Sequence, residues 1–222
     1  MCGIAGIFLF NQDYSDMLMS VKGMTSVLSH RGPDDSGYFF NERVALGHRR
    51  LSIIDLSDNA KQPMFNEDHS LALVFNGEIY NFKELRKFLI AKGHVFKSNS
   101  DSEVLLHLYE EYNTECTKYL EGMFAFAIYD SHRENIFFAR DRVGEKPLYY
   151  YKDKHAFYFS SEIKSFFTLD DFEKKLSMEG LHTYFNNIQI PAPKTIFEGV
   201  KKFRPAHWFL LDAEGREIEK PY

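Results

Sequence analysis

Short apolar runs of strand length follow one another through the second half of this chain, and one of them constrains the architecture most. Met123-Phe124-Ala125-Phe126-Ala127-Ile128 is apolar at every position, so a strand built from it has two faces to bury. Runs at Phe124–Tyr129, Ile136–Arg140, Leu148–Tyr151 and Phe157–Phe159 are joined by tight turn signals, which predicts antiparallel pairing. Helical spacing appears earlier, at Met17, Leu18, Val21, Met24 and Leu28, and again over Phe82–Ala91 and Ser102–Tyr112. Asp101 is placed to cap the last of these helices. Strands are also expected over Cys2–Phe10, Gly37–Phe40 and Val44–Ile54, with Leu71–Phe75 ending at an Asn76-Gly77 turn signal. The tail holds a terminal strand pair, Trp208–Leu211 and Glu217–Glu219. Sheets covered on both sides by helical layers fit this pattern, in one domain over residues 1–222.

Composition narrows the function classes. A net charge of −5 over 222 residues gives no basic footprint for nucleic acid or anionic lipid. No apolar run approaches the roughly 20 residues of a membrane span. Cys2 and Cys116 are the only cysteines, which suits a reducing compartment, so a cytoplasmic protein is expected. Cys116 lies in a polar stretch without a histidine or cysteine at ligand spacing, and no metal ligation is expected.

The chemistry starts at residue 2. Aminopeptidases remove Met1 before a small side chain, which leaves Cys2 with a thiol and a free α-amine on one residue. The amine titrates near about 7.7–8.0 and can take the thiol's proton, as in N-terminal threonine enzymes. An ordinary packed cysteine is the alternative. Such a nucleophile acting on a carboxamide needs oxyanion donors and groups that hold the substrate's other end. The Asn76 amide and the Gly77 N–H can supply the donors, or the pair is a hairpin turn. Arg50 can grip a carboxylate, or it forms an ion pair with Asp55. Asp101 can hold an ammonium group, or it is a plain helix cap. The His30–Gly37 and Ala139–Tyr150 segments read as ordered loops held by ion pairs, and neither is a phosphate-binding glycine loop.

Taken in order, Cys2-Gly3-Ile4-Ala5-Gly6, His30–Gly37, Arg50–Asp55, Gln62-Pro63-Met64, Asn76–Asn81, Ser100-Asp101, Gly122–Asp130, Arg140–Tyr149 and Ser161–Lys164 closely resemble the class II glutamine amidotransferases. Among these the chain is most similar to the glutaminase domain of glutamine-dependent asparagine synthetases, and the Glu78-Ile79-Tyr80-Asn81 continuation is typical of that type. The resemblance implies an α+β fold, the four-layer αββα sandwich of N-terminal nucleophile hydrolases with two antiparallel sheets. It implies glutamine hydrolysis through a thioester on Cys2, with Asn76 and Gly77 as the oxyanion hole. Arg50 would bind the α-carboxylate of L-glutamine, the backbone of Leu51, Ser52, Ile53 and Ile54 would line its site, and Glu78 and Asp101 would lie on its α-ammonium side.

The synthetase half of such enzymes binds ATP through a Ser-Gly-Gly-x-Asp-Ser loop, and this sequence contains none. The expectation is therefore a glutaminase domain without its synthetase domain, which would join it in cis or in trans; a fragment is the favoured explanation. No cofactor is expected in this chain, ATP and Mg²⁺ belonging to the missing domain, and a homodimer is among the assemblies the resemblance allows. Two alternatives stand beside the glutaminase reading: a non-catalytic glutamine-binding regulatory module, and a glutaminase serving another acceptor, such as a sugar acid in surface-polysaccharide assembly.

Overall fold

The computed structural model describes residues 1–10 and 16–222. Among them, twelve strands form two six-stranded sheets, antiparallel at every pairing. The first sheet contains β1 (Gly3–Leu9), β2 (Asp35–Phe40), β3 (Val44–Arg50), β8 (Tyr149–Lys152), β9 (Ala156–Ser160) and β10 (Val200–Lys202). Its order is β10-β8-β9-β1-β3-β2. The second contains β4 (Met64–Phe65), β5 (Leu71–Ile79), β6 (Gly122–Asp130), β7 (Asn135–Arg140), β11 (His207–Asp212) and β12 (Glu217–Pro221). These run β12-β11-β7-β6-β5-β4.

Side chains alternate across a strand, and here each face has a destination. Ile4 and Phe8 of β1, Val44 and Leu46 of β3, Ala72 and Val74 of β5 and Phe138 of β7 meet between the sheets. Ala5, Ile7 and Leu9 face outward onto α1 (Met17–Ser26) and the short 3-10 helix Ile163–Thr168. Leu71, Leu73 and Phe75 face the other way, onto α2 (Phe82–Ala91) and α3 (Asp101–Tyr112). Three apolar interlayers make four layers, helix-sheet-sheet-helix. Each fully buried aliphatic or phenyl group contributes about 1.5–3 kcal/mol to holding them together.

Three local expectations are corrected. The strand expected over Val44–Ile54 stops at Arg50, and residues 51–57 form a loop. There the Ser52 N–H turns to Asp34 Oδ2 (2.8 Å) instead of a neighbouring strand. Asn76-Gly77 makes no turn: both residues lie inside β5, opposite Ala125 and Phe124. Glycine is required at 77 by crowding, since a Cβ would fall 2.3 Å from the Met123 carbonyl oxygen. The cap of α3 is Ser100, whose hydroxyl accepts from the Ser102 N–H (3.2 Å), which leaves the Asp101 carboxylate for another task. A helix over Met178–Asn187 (α4) carries no sequence expectation; it is capped by Ser177 and largely exposed.

Among the described residues no helix is long and apolar enough to cross a membrane.

Candidate active site

Strand parity delivers the first site residues. Cys2 continues the even-numbered face of β1 that carries Ile4 and Phe8, and Arg50 continues the face of β3 that carries Val44 and Leu46. Asn76 and Glu78 share the β5 face of Ala72 and Val74. All four therefore point into the space between the sheets, at the end where the apolar filling runs out. A cavity of about 140 Å³ occupies that end, lined by Cys2, Arg50, Leu51, Ile53, Ile54, Asn76, Gly77, Glu78 and Asp101 among others. An engineered apolar cavity of about 150 Å³ takes up benzene, so this one has room for a group of small-molecule size. Ser52 is the one sequence-predicted site residue that does not line it.

The Cys2 thiol is fixed on the loop that follows β3. Its sulfur accepts from the Leu51 N–H (3.4 Å) and donates to the Leu51 carbonyl (3.7 Å). Burial pushes the thiol up from its ordinary value, and the Leu51 N–H and nearby positive charges offset this only in part. At neutral pH it is a thiol and needs a base to become a nucleophile. No histidine lines the cavity. His48 lies on the same strand face as Arg50, but burial pushes it down to about 4, and its Nε2 is committed to the Phe75 carbonyl (3.2 Å).

Arg50 is 7% exposed and, among the described residues, forms no salt bridge. Its guanidinium donates to the backbone carbonyls of Ser57 (3.2 Å) and Asp55. The Asp55 carboxylate instead accepts from the Ser57 (2.8 Å) and Asn99 (2.7 Å) N–H groups, so the ion-pair alternative is overturned. Asp35, the cross-strand partner of Arg50 on β2, and Asp55 lie near enough for its charge to help lower both carboxyls, but neither is in direct ion-pair contact with it, and the guanidinium keeps N–H groups that an anion can use.

On the facing sheet, the Asp101 Oδ2 accepts from the Ile79 N–H (2.9 Å), and burial pushes this carboxyl up. A cation beside it would reverse that shift. Along the same edge of β5, the Phe75 N–H is taken by Gln62 Oε1 (2.6 Å). Gly77 lies midway between Phe75 and Ile79, so its N–H points the same way, into the cavity that it lines. The partner strand agrees: the N–H and carbonyl of Phe124, opposite Gly77, both turn to Asp141. Beside Gly77, the Asn76 side chain is fully buried, and neither its Oδ1 nor its Nδ2 has a hydrogen-bond partner among the described residues. A buried amide left wholly unpaired costs about 1–3 kcal/mol or more, and this one sits in the cavity wall.

Residues 1–222 match the family model described as a glutamine amidotransferase domain. The chain belongs to that family. The glutamine-hydrolysing asparagine synthetase 3 of Bacillus subtilis is 40% identical over 98% of this chain. Asparagine synthetase 1 of the same organism is 41% identical over 100% of it. This chain spans 36% and 35% of their lengths. "Amidase chry2" of Gibberella zeae is 35% identical over 100% of the chain and 34% of its own length. The fold is shared with the glutamine phosphoribosylpyrophosphate amidotransferase of B. subtilis, at a TM-score of 0.72 and 20% identity, over 99% of this chain and 49% of that one.

Residues of the loops expected from the sequence also make contacts around Cys2. Arg31 donates from Nε to the Cys2 carbonyl (2.9 Å) and from Nη1 to Glu162 (2.9 Å), tying the Cys2 backbone to the turn after β9. Asp34 holds Ser52, and through it the start of the 51–57 loop. In the second loop the expectation of ion pairs fails. Arg140 donates to the carbonyls of Gly144, Lys146 and Phe203 (2.6–2.7 Å), and Asp141 accepts from the N–H groups of Phe124, Val143, Glu145 and Lys146. Charge dense beside glycine and proline marked these segments as ordered, but the backbone partners are set by the fold. Cys116 is fully buried, and burial pushes its thiol up strongly, as a bystander requires.

Arg50→Lys is expected to raise KM for glutamine by roughly 5- to 150-fold, a cost of roughly 1–3 kcal/mol in binding. A lysine keeps the charge but loses the planar fork and one of the two contacts to the loop carbonyls. Steady-state kinetics beside thermal unfolding decide it: an unchanged KM with a lower Tm would make Arg50 a purely structural residue.

Proposed function

We propose that this domain hydrolyses L-glutamine to L-glutamate and ammonia through a γ-glutamyl thioester on Cys2. One observation supports the reading: a single small cavity brings together a thiol, a buried guanidinium in no direct ion pair among the described residues, a buried carboxylate and an amide without a hydrogen-bond partner among them. Arg50 takes the α-carboxylate of glutamine, and Asp101 with Glu78 takes its α-ammonium group. The carboxamide then lies against Cys2, with the Asn76 Nδ2 and the Gly77 N–H directed at its oxygen.

The steps follow from those positions. The Cys2 α-amine accepts the thiol proton as sulfur attacks the carboxamide carbon, forming the S–C bond and a tetrahedral oxyanion. The ammonium so formed returns the proton to the carboxamide nitrogen, the C–N bond breaks and ammonia leaves. Water attacks the thioester carbon, the S–C bond breaks, and glutamate departs as the thiol is restored.

This chemistry requires Met1 to be absent. In the structure Met1 precedes Cys2 and lines the cavity, and its peptide bond turns the base into an amide. Protein from which Met1 has been cleaved is expected to release glutamate, and protein retaining it to be inactive. Intact mass spectrometry with a glutamate assay on the same preparations tests this, and full turnover by unprocessed protein would overturn the mechanism.

The ammonia is proposed to amidate an ATP-activated carboxylate, as in the synthesis of asparagine from aspartate, on a synthetase domain joined in cis or supplied in trans. The names of the synthetase relatives and the third of their length that this chain spans support it. ATP and Mg²⁺ belong to that domain. The intact cavity set weighs against a non-catalytic module.

A further inference from the structure

The outer helical layer holds a cluster that the proposed reaction does not use. His107 and Glu110 lie one turn apart on α3, and His94 reaches them from the turn after α2. His107 Nδ1 is 3.1 Å from His94 Nδ1 and 2.8 Å from Glu110 Oε2, and His94 Nδ1 is 3.4 Å from the same oxygen. Donors about 2.0–2.1 Å from a common metal are about 3.3 Å apart in a tetrahedron and about 2.9 Å apart on an octahedral face. The three measured edges fall across that range.

We propose that His94, His107 and Glu110 bind a divalent first-row transition metal, with Zn²⁺ the best match to two imidazole nitrogens and one carboxylate oxygen. This departs from the sequence expectation of no metal, and it stands independently of the glutaminase reading.

The surroundings suit a metal. With both Nδ1 atoms ligating, each ring carries its proton on Nε2, where ligating histidines ordinarily face a carboxylate. His94 Nε2 lies 3.1 Å from Glu111 Oε1, and His107 Nε2 faces Glu103 Oε1 at 4.0 Å. The second oxygen of Glu110 accepts from Asn66 Nδ2 (2.9 Å), which orients the carboxylate. Without a metal, a proton on His107 Nδ1 closes the same triangle and turns the Nε2 lone pair toward the Glu103 carboxylate, whereas a metal on Nδ1 turns an N–H toward it; in both states this buried nitrogen has no hydrogen-bond partner among the described residues. Glu110 is partly exposed, so water can complete the coordination. A metal here staples the α2–α3 connection to α3, the helix whose first residue, Asp101, lines the active-site cavity.

The test uses the untagged 222-residue chain carrying Cys2→Ala, so that the nucleophilic thiol takes no metal. After chelator treatment and dialysis, Zn²⁺ is titrated calorimetrically and thermal unfolding is followed in parallel. One Zn²⁺ per chain is expected to bind. At a hundredfold excess over Kd, Tm is expected to rise by about 5 °C or more. Mg²⁺ should give no shift. His94→Gln and Glu110→Gln, both at partly exposed positions, are each expected to weaken Zn²⁺ binding by at least about tenfold. Co²⁺ should give the visible absorption of a nitrogen-ligated site in the parent and lose it in His94→Gln. No saturable Zn²⁺ binding, or binding unchanged in both variants, would overturn the site and leave a proton-sharing network.

Discussion

Cys2→Ala is expected to lower glutamine hydrolysis by about 10⁴-fold or more, to the background of the assay, while the fold persists. The sulfur is the only nucleophile in the cavity wall whose own residue can also supply the base, and no histidine lines the cavity to recruit a substitute. The structural cost is small. Apart from the pair of sulfur contacts to Leu51, Cys2 is held through its backbone, where Arg31 binds its carbonyl (2.9 Å), and alanine keeps that bond. A change of within about 1 kcal/mol in stability follows. Glutamate release, circular dichroism and unfolding on both proteins decide it. Residual turnover near the parent's rate would remove Cys2 from the chemistry; a matching collapse of Tm would show that it belongs to the core.

The pH dependence has a definite sign. Burial holds the thiol above its ordinary value, so lowering the pH protonates the α-amine and leaves a thiol with nothing to accept its proton. Activity is therefore expected to fall on the acid side as the amine, near about 7.7–8.0 when unperturbed, becomes charged.

The layered fold was legible because burial on two faces is written into composition. Met123–Ile128 has no polar face, and Leu71–Phe75 of β5 and Ile136–Ala139 of β7 are apolar in the same way, so coverage by helices on one side and a sheet on the other follows. Boundaries were less legible where side chains compete with the ladder for backbone groups. Val44–Ile54 reads as one strand from its β-branched end, yet Asp34 claims the Ser52 N–H and Arg50 turns its guanidinium onto the carbonyls of Asp55 and Ser57. Asp34, Asp55 and Ser57 all lie outside the periodic pattern. Asn76-Gly77 misleads for a different reason. The glycine answers to the close approach of β6, a tertiary contact with no local signature. The candidate site residues were individually ambiguous in the sequence, and strand parity brings four of them, Cys2, Arg50, Asn76 and Glu78, to one end of the space between the sheets. Arg31 escaped notice because its partner is the backbone of residue 2, which only the docking of the loop against β1 brings near. The His94 cluster escaped for the same reason, because His94 and His107 approach only when α2 packs against α3.

Asn76→Ala is expected to separate catalysis from stability. Removing one preorganised oxyanion donor costs on the order of 10²–10³-fold in kcat, because the donor acts on charge that exists only in the transition state. KM for glutamine should change little, since the proposal gives the far end of the substrate to Arg50 and Asp101. The stability effect runs the other way from most core truncations. Both polar atoms of the Asn76 side chain are buried without partners among the described residues, so deleting them relieves a desolvation cost of about 1–3 kcal/mol. The loss of packing from a small amide offsets part of this. Tm is therefore expected to hold or rise as kcat falls. Asn76→Asp, nearly isosteric, should lower kcat further still by placing negative charge where the oxyanion forms, and its Tm should fall because a carboxylate at a fully buried site is costly. Steady-state kinetics and thermal unfolding of the three proteins discriminate the accounts. If alanine lowers Tm and leaves kcat within a few-fold of the parent, the amide is a packing group and the oxyanion must be held elsewhere.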